Sequence, residues 1–159
     1  MDAIAKFFNL LSSLILLLFS ILIGLSFVSN TNVLGGLKFY VVQSGSMSPT
    51  INIGDIIVVN PQHRYFQNDV ITFKTDSNSI VTHRIVEVKD DNKEFVTKGD
   101  ANRSIDQGTV MAKSVIGKVI YVIPKLGYLS AFAKTPLGIL VFIGVPIFAL
   151  VFDKLAKKN

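Results

Sequence analysis

The residue types needed for acyl transfer through a hydroxyl are all present in this chain. Ser46 lies in Gln43-Ser44-Gly45-Ser46-Met47-Ser48-Pro49-Thr50, His83 in Val81-Thr82-His83-Arg84-Ile85-Val86, and two acids, Asp100 and Asp106, in Thr97-Lys98-Gly99-Asp100-Ala101-Asn102-Arg103-Ser104-Ile105-Asp106. That chemistry needs a nucleophilic hydroxyl, a base within hydrogen-bond reach, a group that orients the base, and donors for the oxyanion. Gly45 permits a tight backbone turn before Ser46, and Pro49 limits the chain beyond it. In an extended segment Ser44 points to the same side as Ser46, so its hydroxyl and the Ser46 backbone N–H could serve one oxyanion. Val81, His83 and Ile85 share one strand face, where aliphatic neighbours favour the neutral imidazole that a general base requires. Either aspartate could accept from Nδ1–H and fix the tautomer. Taken singly, each feature has a plainer reading: a serine-rich turn, a core histidine bonded to a carbonyl, and a solvated Asx-type loop. His63, the other histidine, falls in a polar loop, and the His and Asp spacing matches no metal-binding pattern, so no metal or cofactor is implied.

Short β-branched and aromatic runs cut by turn residues must position these groups, which predicts a mainly β domain. The strand candidates are Leu37 to Gln43, Asp55 to Asn60, Asp69 to Lys74, Ile80 to Lys89, Glu94 to Lys98 and Val115 to Ile123. Breakers such as Asn60-Pro61, Asp76-Ser77-Asn78 and Gly99-Asp100 lie between them, and Asp90-Asp91-Asn92 reads as a hairpin turn.

The two ends differ from this middle. Of 159 residues, half are hydrophobic, yet Phe7 to Leu37 and Thr135 to Phe152 contain no charge, and each reaches the ~18 residues of a membrane span. The first run would also suit a secretory signal, but it exceeds the usual apolar core of roughly 7 to 15 residues and no A-x-A site ends it. The second carries Pro136, Gly138, Gly144 and Pro146, which leaves a buried core helix as its alternative. The net charge of +5 arises mainly at the ends, because Thr31 to Ala133 has eleven Lys/Arg against nine Asp/Glu. The basic pI is therefore no footprint of nucleic-acid binding. Lys6 before the first run and Lys154, Lys157 and Lys158 after the second place both termini in the cytoplasm and the middle domain outside. The absence of cysteine leaves no disulfide framework. The expected organisation is a membrane anchor over 1–30, a β-rich domain over 31–133, and a second transmembrane helix with a basic tail over 134–159.

In order along the chain, these boxes resemble those of type I signal peptidases, in the branch of the endoplasmic reticulum, archaea and some spore-forming bacteria. Ser44 to Thr50 resembles the nucleophile box and Gly54-Asp55-Ile56-Ile57-Val58-Val59 the strand after it. Val81 to Val86 resembles the base box, with histidine where the common bacterial enzymes have lysine. Lys98 to Asn102 with Asp106 resembles the last box, although Ala101 stands where asparagine is common. The resemblance implies a membrane-bound serine endopeptidase that removes signal peptides from preproteins after small residues at the first and third positions before the bond. It casts Ser46 as nucleophile, His83 as general base, Asp106 as orienting acid, Asp100 as a further acid of the site, and Ser44 as a side-chain oxyanion donor. Backbone pairing along Tyr40, Val41 and Val42 and along Val81 and Thr82 would clamp the substrate. Signal-peptide-bearing preproteins and membrane lipid are the expected partners, with accessory subunits left open. The large second β-subdomain of some bacterial relatives has no room here. Two other readings remain: a self-cleaving regulatory protease of the Ser-Lys kind, which would need a lysine base, and a non-catalytic anchored β-domain.

Overall fold

Strand-forming runs pair edge to edge because each would otherwise leave a row of backbone N–H and C=O groups unbonded. The computed structural model describes residues 2–29 and 36–156. Among the described residues the strands are β1 (Lys38–Val41), β2 (Ile56–Asn60), β3 (Val70–Lys74), β4 (Ile80–Lys89), β5 (Glu94–Lys98), β6 (Val110–Met111) and β7 (Val115–Ile123). They form one sheet in the order β1-β2-β7-β3-β4-β5-β6, antiparallel at every pairing. The first strand stops at Val41 rather than Gln43; Val42 still donates to the Asp55 carbonyl and accepts from Gly54 N–H just before β2, and the chain then enters the Ser46 turn. Two-residue β6 is an addition to the strands legible in the sequence. It is too short for alternation to register.

Side-chain alternation divides the apolar residues between two clusters. Ile71 and Phe73 of β3 pack with Tyr65, Ile85 and Phe95, whereas Val70 packs with Met47, Ile51, Ile57 and Val59. In β2 the run Ile56 to Val59 is buried throughout, as a strand covered on both faces requires. The β4–β5 hairpin turns at Asp90, Asp91 and Asn92, all at positive φ. Asn92 locks it by accepting from Tyr65 N–H and donating to the Tyr65 carbonyl.

The chain divides into two compact units, the sheet unit Val28–Gly127 and a helical unit of both ends, Met1–Phe27 with Tyr128–Asn159. The latter contains most of α1 (Asp2–Ser29) and of α2 (Leu126–Ala133), with α3 (Pro136–Ile139) and α4 (Val145–Ala156). Phe19 stacks on Phe142 at 5.1 Å, and Phe8 meets Phe148 and Phe152 at 6.1 Å. Ser12, Ser13 and Ser20 of α1 each donate to the carbonyl four residues earlier, so their hydroxyls are satisfied within the helix. Pro146 has no N–H to continue the ladder, and a π-turn over Leu140–Gly144 precedes it. Among the described residues no single helix is long and apolar enough to cross a membrane. Lys6–Ile21 is a shorter apolar stretch, and Leu126–Ala133 with Pro136–Phe152 qualifies only as a pair bent by 87°. The bend falls where Thr135 caps α3 by accepting from Gly138 N–H, and a Cβ at Gly138 would overlap the Phe132 carbonyl. The expected boundary at residues 30 and 31 and the basic residues Lys157 and Lys158 lie outside the described residues.

Phe95 is fully buried and meets Tyr65 edge-on at 5.7 Å. Phe95→Ala is expected to cost about 3–5 kcal/mol of stability, measured by denaturant unfolding of the full chain; a loss below about 1 kcal/mol would place Phe95 outside the core.

Candidate active site

Ser46 is presented by a turn whose neighbours are fixed in the core. Met47 and Ile51 are each 2% exposed, Ser48 N–H bonds the Gly45 carbonyl, and Ile51 N–H bonds the Met47 carbonyl. The Ser48–Pro49 peptide bond is cis. Buried Asp55 ties off the turn by accepting from Asn52 N–H at 2.8 Å and Lys125 N–H at 3.0 Å.

His83 lies opposite Ile71 in the β3–β4 register and packs its ring edge-on to Phe73. Its Nε2 is 3.1 Å from Ser46 Oγ and its Nδ1 is 2.5 Å from Asp106 Oδ2. A carboxylate only accepts, so this pattern puts the ring proton on Nδ1 and leaves Nε2 to accept from the Ser46 hydroxyl. The His83 side chain is 10% exposed. Asp106 is held from two sides: its N–H bonds the Thr97 carbonyl at 2.9 Å, and the Thr97 hydroxyl donates to Oδ2 at 2.7 Å.

Asp100 takes a different place. Its two oxygens accept a bidentate pair from Arg84 Nε and Nη2 at 2.8 and 2.7 Å, and the Thr50 side chain lies near enough to favour its charged form. Arg84 Nη1 also donates to the Asn68 carbonyl. The adjoining Ala101 N–H bonds the Ser46 carbonyl at 2.9 Å. A Cβ at Gly99 would lie 2.6 Å from that carbonyl oxygen, so glycine is required by close approach. The structure therefore brings Ser46, His83 and Asp106 into one line and sets Asp100 in a brace beside it. His63 lies exposed in its loop. Thr50, Arg84 and Thr97 each fall within one of the boxes legible in the sequence, but nothing in the local pattern assigns them a role beside the two acids.

A cleft of about 570 Å³ borders Ser46. One wall is Tyr40 to Ser44, the other Ser79 to Thr82, and Met47, Ile51 and Ile57 form its floor. Ser44 Oγ is 3.5 Å from Ser46 Oγ. Among the described residues strand β1 pairs only with β2, and β4 meets β5 only from Arg84 onward, so both walls carry backbone free of ladder partners there. Burial raises the Tyr40 phenol above its ordinary value.

The Arg84 hydrogen bonds hold the Asp100 carboxyl below the ordinary 3.8, with Thr50 adding to the effect and burial opposing it. Arg84 is raised in turn, chiefly by the same bonds. Because the carboxyl is depressed in the folded state, the pair's stabilisation is complete above that ordinary value and is lost as pH falls through the folded one. Asp100→Asn is expected to cost about 1–3 kcal/mol at pH 7, with the gap to wild type closing as unfolding is measured below pH 3.8. A gap that stays constant into acid would show that the charge of Asp100 is not what stabilises.

A family model described as Peptidase S24-like matches residues 27–120. Signal peptidase I W of Bacillus subtilis is 42% identical over 79 residues, covering 46% of this chain and 42% of that protein. The chain thus spans less than half the length of that relative. The signal peptidase complex catalytic subunit of Eremothecium gossypii is 36% identical over 120 residues, covering 67% of this chain and 70% of its own length. Its counterpart in Komagataella phaffii is 32% identical over 124 residues with the same coverage. With the family model matching more than half of the chain, across Ser46, His83 and Asp106, and with signal peptidases among its relatives, the chain belongs to the type I signal peptidase family, within the group described as Peptidase S24-like.

Proposed function

We propose that this chain is a membrane-held serine endopeptidase that removes N-terminal signal peptides from preproteins, cutting after small residues at the first and third positions before the scissile bond. The observation that carries the reading is the line from Ser46 Oγ through His83 to Asp106, at the mouth of a cleft with two free backbone edges. An extended signal-peptide segment adds to those edges by main-chain pairing. The large side chains of Met47, Ile51 and Ile57 keep the floor shallow, which favours small side chains there.

In the proposed reaction Ser46 Oγ attacks the carbonyl carbon as His83 Nε2 takes its proton. Asp106 keeps the ring proton on Nδ1 and stabilises the imidazolium that forms. The negative oxygen of the tetrahedral intermediate receives the Ser46 N–H and the Ser44 hydroxyl. Collapse breaks the C–N bond, His83 gives its proton to the leaving amine, and water, activated by the same imidazole, releases the acyl group from Ser46. Arg84, Asp100 and Thr50 keep the loop after β5 against the nucleophile turn. An imidazole within reach of Ser46 favours the Ser-His over the Ser-Lys reading.

Several features support attachment to a membrane. Leu10, Leu14 and Leu17 of α1 and Leu140, Phe148 and Leu150 of the other end are more than half exposed, and the hydroxyls of Ser12, Ser13 and Ser20 need no water. Lys6 and Lys154 flank these segments as cytoplasmic ends would, which sets the sheet unit on the extracytoplasmic side. Two relatives are named as catalytic subunits of a signal peptidase complex, and on that basis accessory subunits are proposed as partners alongside preproteins and lipid.

Processing of a preprotein bearing an A-x-A site, by the full chain in detergent, tests the reading. Ser46→Ala and His83→Ala are each expected to lower kcat by at least about 10³-fold, and Ser44→Ala by about 10²-fold. Cleavage retained in either of the first two variants would remove the proposed mechanism.

A further inference from the structure

Thr97 holds Asp106 twice, through its carbonyl and through its hydroxyl. It lies on β5 opposite Ile85 and is 1% exposed, whereas Asp106 sits in a loop whose neighbours Ile105 and Gln107 are exposed. Oδ2 of Asp106 therefore receives two donors, Thr97 Oγ1–H at 2.7 Å and His83 Nδ1–H at 2.5 Å. An oxygen of a carboxylate has two acceptor directions in the carboxyl plane, so two donors on one oxygen fix rotation about the Cβ–Cγ bond. The β-branch of threonine in turn restricts the hydroxyl to few rotamers on a strand.

Resting on the reading of Ser46, His83 and Asp106 given above, we infer that Thr97 is a positioning residue for the reaction: its hydroxyl sets the plane of the Asp106 carboxylate so that Oδ2 meets the imidazole Nδ1–H. Without it, the carboxylate of an exposed loop swings freely, and the imidazole loses both its orientation and its fixed tautomer. A network whose members orient one another loses more than one bond when a single member is removed. A threonine needed only for packing would behave otherwise, because valine fills the same volume.

The test uses the full chain and a serine-directed fluorophosphonate, whose rate of attachment to Ser46 reports base-assisted nucleophilicity without a preprotein. Thr97→Val removes the donor and keeps the shape and the backbone carbonyl; labelling is expected to slow by 10- to 100-fold. Thr97→Ser keeps the donor and should label within threefold of wild type. Peptide cleavage should follow with kcat reduced and KM within twofold. In an Asp106→Ala background, Thr97→Val should add no further slowing, since Thr97 acts through Asp106. Labelling of Thr97→Val at the wild-type rate overturns the inference, as does an equal further loss in the Asp106→Ala background. Should Thr97→Val not fold, Thr97→Ala gives the same comparison with Thr97→Ser. A wild-type chain that neither labels nor cleaves the peptide overturns the reading of Ser46 itself and this inference with it; if it cleaves without labelling, the kcat of Thr97→Val against Thr97→Ser decides the inference.

Discussion

The contact of the His83 imidazole with Asp106 on one side and Ser46 on the other is the point on which the sheet unit converges. These residues are far apart in sequence and come from three different parts of the unit: a turn before β2, the middle of β4, and the loop after β5. No local propensity brings them together. The antiparallel register does, because a slip of one residue in β4 would turn His83 to the opposite face and send a neighbour toward Ser46. The apolar clusters on either side, one with Ile85 and Phe95 and one with Met47 and Ile51, make such a slip costly.

A second network keeps that convergence from loosening. Arg84, one residue past the imidazole, faces away from it and reaches Asp100, whose charged form Thr50 at the far end of the Ser46 turn also favours. The next residue, Ala101, bonds the carbonyl of Ser46 itself. The strand that carries the candidate base and the turn that carries the candidate nucleophile are thus fastened to the same short loop. Arginine suits this place because its planar fork matches a carboxylate at two points, which a lysine cannot do. The two acids of that loop therefore divide the work: Asp106 faces the imidazole and Asp100 faces the guanidinium.

Much of this was legible in the sequence and some was not, for identifiable reasons. The longer strands announce themselves by β-branched runs between turn residues, and β2 by its four consecutive buried aliphatics. Strand β6 has two residues and no period to detect. The order of Ser46, His83 and the acidic loop pointed to a shared site, but its local patterns left both aspartates open as partners of the imidazole. Geometry alone separates them, because the Arg84–Asp100 pair depends on how β4 lies against β5. Thr97 has no signature, since a threonine within a strand is ordinary until its hydroxyl is seen to meet a carboxylate. At the C-terminal end Pro136, Gly138, Gly144 and Pro146 warn of irregular helix, and the 87° bend falls at the Thr135 cap beside the close approach at Gly138.

The account stands or falls on covalent chemistry at Ser46. Its most direct measurement is mass spectrometry of the full chain quenched in acid during turnover of a slowly deacylating ester carrying a signal-peptide-like acyl group, followed by mapping of the adduct to a peptide. The account predicts one acyl group per chain, located on Ser46. An adduct on any other residue, or turnover with none on Ser46, would contradict it.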